Sequence, residues 1–113
     1  MLLVSAMPAM AQQKPDAGLR EIHFNLYTDS IKTIMDFYVN VEGTYRDGHV
    51  LPLDTNEVII TADQGTMIGN AWRAPQSISF EKVHFKVRAK RQPALHDSIT
   101  VWLKRGHDPR DTE

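Results

Sequence analysis

Residues 79–90 constrain the fold more than any other stretch. Val83, Phe85, Val87 and Ala89 alternate there with Lys82, His84, Lys86, Arg88 and Lys90. Successive side chains of a strand point to opposite faces, so this period of two collects the apolar groups on one side and the bases on the other. A helix would scatter the same residues around its circumference. One face must be buried and the other wet, which favours an antiparallel sheet over a parallel sheet covered on both sides. The predicted strand spans Ser79 to Lys90, and Gln92-Pro93-Ala94 breaks it.

The same period recurs along the chain. Ile22, Phe24 and Leu26 are expected to face inward, against His23, Asn25 and Tyr27. Thr28-Asp29-Ser30 reads as a turn, and Ile31 to Ile34 fits either a helical turn or a crossover. Phe37, Val39 and Val41 are expected inside one strand, with Asp36, Tyr38, Asn40 and Glu42 outside. Asp47-Gly48 marks a tight hairpin, and Val50-Leu51 returns from it until Pro52, which has no N–H to donate. Asn56 to Ala62 and Thr66 to Gly69 are two further strands around the Asp63-Gln64-Gly65 turn. Ala71 to Pro75 reads as irregular. Ser98 to Lys104 forms the last strand, with Ile99, Val101 and Leu103 inward and Trp102 outward. About seven short strands separated by turns predict an all-β sandwich of antiparallel sheets.

A chain of 113 residues makes one domain with a modest core. Met1 to Ala11 is uncharged and largely apolar and ends in the small-x-small run Ala9-Met10-Ala11, before the polar Gln12-Gln13-Lys14. That is the pattern of a secretory signal peptide, and it predicts export. The expected organisation is a signal remnant at 1–11, a flexible segment at 12–18, the folded domain at 19–104 and a polar tail at 105–113. No span long enough to cross a membrane follows the signal. There is no cysteine, which excludes disulfides, thiolate metal sites and a Cys nucleophile. Thirteen Lys and Arg against fourteen Asp and Glu leave a net charge of −1, and nothing global points to nucleic acid.

Each candidate for chemistry has a plainer explanation. His23, His49, His84, His96 and His107 show no close zinc spacing, and solvent-facing strand histidines account for His23 and His84. Ser77, Ser79 and Ser98 lack a nucleophile-elbow setting. Asp47, Asp54, Glu57 and Asp63 could form a carboxylate pair or a calcium site, but aspartates at turns mostly bond their own backbone. The sequence therefore predicts no catalytic residue, no metal and no cofactor.

Contact residues are better represented. Lys86 and Arg88, with Lys82, Lys90 and Arg91, make a positive ridge suited to an anionic glycan, a lipid headgroup or an acidic partner. A solvated strand that resists aggregation is the plainer reading. Tyr38, Trp72 and Trp102 are the aromatic candidates. Trp72, placed in a loop, is expected either to plug an open end of the sandwich or to anchor a ligand.

Several runs carry a resemblance. Tyr38 to Gly48 resembles the second strand and following hairpin of bacterial immunoglobulin-like domains, and Thr61 to Thr66 the turn after a central strand. Asn70 to Pro75 is similar to the loop that follows. Val83 to Ala89 and Ser98 to Leu103 resemble the last two strands. The likeness covers Leu19 to Lys104 and lacks the Cys pair and intervening Trp of antibody-type domains. It implies an immunoglobulin-like β-sandwich in an exported, non-catalytic binding or assembly domain, periplasmic or on the bacterial surface. The expected partner is an envelope or surface protein, met through Tyr38, Trp72, Lys86, Arg88 and Trp102 or by strand addition. A small carbohydrate-binding module using Trp72 and Tyr38 is the alternative.

Overall fold

The computed structural model describes residues 18–28 and 30–104. The expected signal segment, nearly all of the 12–18 segment and the 105–113 tail lie outside the described residues. The described chain is all-β. It forms β1 (Leu19–Phe24), β2 (Ser30–Ile31), β3 (Phe37–Tyr38), β4 (Val41–Tyr45) and β5 (Val50–Leu53). β6 (Val58–Ala62), β7 (Thr66–Ile68), β8 (Ala71–Arg73), β9 (Lys82–Ala89) and β10 (His96–Leu103) follow. Among the described residues no helix is long and apolar enough to cross a membrane.

The strands form three sheets, ordered β1-β4-β5, β2-β10-β9-β6 and β3-β8-β7. Their inward faces share one core. Val83, Phe85, Val87 and Ala89 of β9 are buried, as the alternation requires. Phe85 is the meeting point of all three sheets. Its ring centroid lies 6.4 Å from Phe24 of β1, 6.4 Å from Phe37 of β3 and 6.3 Å from Trp72 of β8. The Trp72 contact is edge-on at 85°, an arrangement that sets the positive edge of one ring on the negative face of the other.

Four features depart from the sequence expectation. Ten strands are present among the described residues rather than about seven. The additional ones are very short; β2 is held by β10 and β3 by β8, both distant in sequence, while β8 pairs with β3 and with its neighbour β7. One pairing is parallel rather than antiparallel: β2 runs beside the end of β10, with Ser30 opposite Trp102 and Ile31 opposite Leu103. The chain leaves the β1 sheet after Phe24 and enters the other sheet alongside its last strand.

The expected strand at 36–42 is divided between two sheets. β3 pairs with β8, and β4 pairs with β1. At the crossing, Val39, Asn40 and Val41 are all buried in succession, so Asn40 is 4% exposed where alternation put it outside. Its amide donates to the Asn25 carbonyl at 3.1 Å, and its own carbonyl accepts the Asn25 N–H at 3.0 Å. Asn70 holds the other side, accepting the Val39 N–H at 2.7 Å through its backbone carbonyl.

The fourth departure is Trp72. It is not in an irregular loop but in β8, opposite Phe37 and Met67, and none of its surface is exposed. A three-residue strand is too short to show a period.

The hairpin expected at Asp47-Gly48 forms between β4 and β5. Tyr45 and His49 close it, and the loop is Arg46-Asp47-Gly48, with Gly48 at φ +93° in the position that a three-residue loop assigns to glycine. Pro52 faces Glu42 on the edge strand β5. Hydrogen-bonded and non-bonded pairs alternate along an antiparallel ladder. Tyr45–His49 is a bonded pair, so Glu42–Pro52 is a non-bonded one and the missing N–H costs no ladder bond.

Candidate functional site

The outward face of the four-stranded sheet gathers most of the expected contact residues. Register fixes its pattern. Trp102 stands opposite Lys82, Thr100 opposite His84, Ser98 opposite Lys86 and His96 opposite Arg88. On the other side of β9, Thr61 faces Lys86 and Ile59 faces Arg88. No outward position of β6, β9 or β10 is acidic. Neighbouring strands lie about 4.8 Å apart, so these rows form one continuous surface.

At one end the Lys82 ammonium sits 5.3 Å from the Trp102 ring centroid, within cation–π range. Trp102 is 52% exposed, so the pair leaves much of the indole open to solvent. In the middle, His84 Nδ1 and Thr100 Oγ1 are 2.9 Å apart, and the His84 backbone N–H donates to Asp63 Oδ1 at 2.9 Å. At the far end lies a groove of roughly 480 Å³, lined by Ile59, Thr61, Lys86, Val87, Arg88, Pro93, His96, Ser98 and one acid, Asp97, whose carboxylate is turned to the Phe24 N–H of β1. Among the described residues neither Lys86 nor Arg88 is held in an ion pair. The two charges therefore stand available to an incoming anion.

The face thus unites Lys86, Arg88 and Trp102. It does not include the other two expected contacts. Tyr38 is 55% exposed but lies on β3, an edge strand of a different sheet. Trp72 is core: its indole donates to the Gln64 carbonyl at 2.6 Å and packs on Phe85, so it offers no surface to a ligand. The sequence reading missed the groove as a unit. Its hydroxyls, His96 and apolar wall come from three strands, and only their register brings them together.

The turn carboxylates are occupied by backbone. Asp47 Oδ1 accepts the His49 N–H at 3.1 Å, Asp54 Oδ1 the Asn56 N–H at 2.9 Å and Glu57 Oε1 the Asp54 N–H at 3.1 Å. The backbone N–H of His49 is the main cause holding the Asp47 carboxyl below the ordinary aspartate range. Among the described residues no group of three or more His, Cys, Asp or Glu is arranged to hold a metal ion.

Strand addition meets obstacles at the edges of the β1-β4-β5 sheet. Pro52 lies outward on β5, and the Asp97 carboxylate already accepts the Phe24 N–H of β1 at 2.9 Å. No protein-family model, no curated protein and no solved structure matches this chain.

Proposed function

We propose that this chain is a non-catalytic binding domain of immunoglobulin-like sandwich type, exported to a bacterial cell envelope, where it docks an acidic protein partner on the outer face of its four-stranded sheet. The observation that carries the reading is the basic row of this face, with Lys86 and Arg88 beside an open groove and a half-exposed Trp102 at the other end. Arginine and tryptophan are enriched where proteins meet, and a single-sign face steers an oppositely charged partner. The β1-β4-β5 and β2-β10-β9-β6 sheets around one core, with the opening segment divided between them as β1 and β2, support the immunoglobulin-like architecture. The apolar run at 1–11 and its small-x-small ending support export.

The carbohydrate-binding alternative is weaker. Of its two stacking aromatics, Trp72 is wholly buried and Tyr38 stands apart from the basic face.

The test is site-specific photo-crosslinking in the native envelope, with the probe at Ser98 or Thr100 on the face and at the exposed Asn56 as control. The reading expects one protein to be crosslinked from 98 and 100 but not from 56, and the product to disappear with Lys86→Glu and Arg88→Glu. Equal capture from 56, or capture indifferent to both substitutions, would sink it.

A further inference from the structure

The basic groups of β9 are spaced like the side chains of an extended chain. Lys82, Lys86 and Arg88 share one face of a single uninterrupted strand, with His84 between them. Alternate residues of a strand repeat at about 6.7 Å, and an extended ligand presents its own alternate side chains at the same interval. The hydroxyls of Thr61 and Ser98 flank Lys86 on either side, and Ile59 gives Arg88 an apolar neighbour. A helical ligand would bring acids to one side every three or four residues, at a mean repeat of about 5.4 Å that falls out of step with the ladder over its length.

We infer that the partner segment recognised here is an extended acidic strand with carboxylates at alternate positions, lying along β9 so that its first, second and fourth carboxylates meet Arg88, Lys86 and Lys82 and the third lies at His84. The inference rests on the reading of this face as a docking surface for an acidic protein. Arg88 supplies a planar fork for two carboxylate oxygens, whereas Lys86 and Lys82 supply point charges. The intervening residues of the ligand point away from the sheet and are left free in identity. Recognition is therefore by periodicity of charge as well as by its amount.

The experiment uses the full chain and two peptides of equal length, composition and charge. One alternates Glu and Thr; the other carries the same residues in blocks. Binding is followed by amide chemical shifts in ¹⁵N-labelled protein. The alternating peptide is expected to bind about fivefold more tightly or better, the gain of one matched ion pair on a partly solvated surface. Its shifts should map to β6, β9 and β10, and Lys86→Ala with Arg88→Ala should remove the preference. Equal affinity for the two peptides would overturn the strand register and leave the basic-face reading standing. Failure of both peptides to bind, or binding indifferent to both alanine variants, would overturn both. A sulfated oligosaccharide that binds this face while neither peptide does would overturn the peptide ligand in favour of a glycan.

Discussion

The Trp72 indole N–H donates to the Gln64 carbonyl at 2.6 Å, across a turn whose next residue, Gly65, has φ +79°. The bond satisfies the one polar group of a side chain that is otherwise entirely within the core. It also explains why glycine stands at 65. A Cβ there would lie 2.7 Å from the Arg73 carbonyl and overlap the indole itself, with the left-handed backbone adding its own cost. Gly65→Ala is expected to lower stability by about 2–4 kcal/mol, combining backbone strain, displaced packing and a lost hydrogen bond. Trp72→Phe keeps a ring but no donor and should cost roughly 1–3 kcal/mol. Urea unfolding followed by far-ultraviolet circular dichroism measures both, and an unchanged midpoint for Gly65→Ala would contradict the packing described.

What the sequence made legible follows strand length. The eight residues of β9 repeat their pattern enough times to show which face is buried, and the structure buries the expected four. The outward placement of Lys86, Arg88 and Trp102 was readable for the same reason, each lying on a long alternating strand. Trp72 was not, because β8 has three residues and its burial is decided by Phe37, Met67 and Phe85. Asn40 was misread because alternation holds only within one sheet. The chain changes sheets there, and the groups that stabilise the crossing, Asn25 and Asn70, are remote in sequence. The groove depends on the pairing of β9 with β10. That register is set by the 90–95 turn, where Leu95 N–H donates to Gln92 and its carbonyl receives Ala89 N–H. No local propensity announces that geometry.

Phe85 joins the three sheets, so its truncation should act on the whole fold. Phe85→Ala is expected to cost about 3–5 kcal/mol, the usual range for removing a buried ring. Because that approaches the total stability of a small domain, Phe85→Leu provides a milder companion. Both should shift tryptophan emission to the red as the Trp72 environment loosens. A fully stable Phe85→Ala protein would show that the sheets do not depend on this contact.

Asp97 reaches from β10 to the open edge of β1 and takes the Phe24 N–H at 2.9 Å. Asp97→Ala leaves that donor without its partner and should cost about 1–3 kcal/mol. Asp97→Asn retains an acceptor oxygen and should recover part of the loss. The specific readout is hydrogen exchange at the Phe24 amide, expected to speed up in the alanine variant more than at Asn25, whose N–H bonds Asn40 instead. Equal acceleration at both amides would indicate general loosening rather than loss of this bond.

Asp36 and Arg73 clasp the start of β3 to the end of β8, with Nε and Nη2 of the guanidinium 2.9 and 2.8 Å from the two carboxylate oxygens. The hydrogen bonds from Arg73 are the first cause, and its charge a further one, holding the Asp36 carboxyl below the ordinary aspartate range. A carboxyl whose pKa is depressed by folding contributes stability above its unfolded value of about 3.9, and loses it as the pH falls through the lower folded value. The stability gap between the native chain and Arg73→Ala should accordingly be present near neutrality and close in acid. Both side chains are solvent-exposed, so the gap is small and shrinks further in high salt. The more decisive measurement is the titration of the Asp36 carboxyl carbon by NMR. Its midpoint should rise toward the ordinary aspartate value in Arg73→Ala, and a midpoint that stays put would assign the depression to a cause other than this pair.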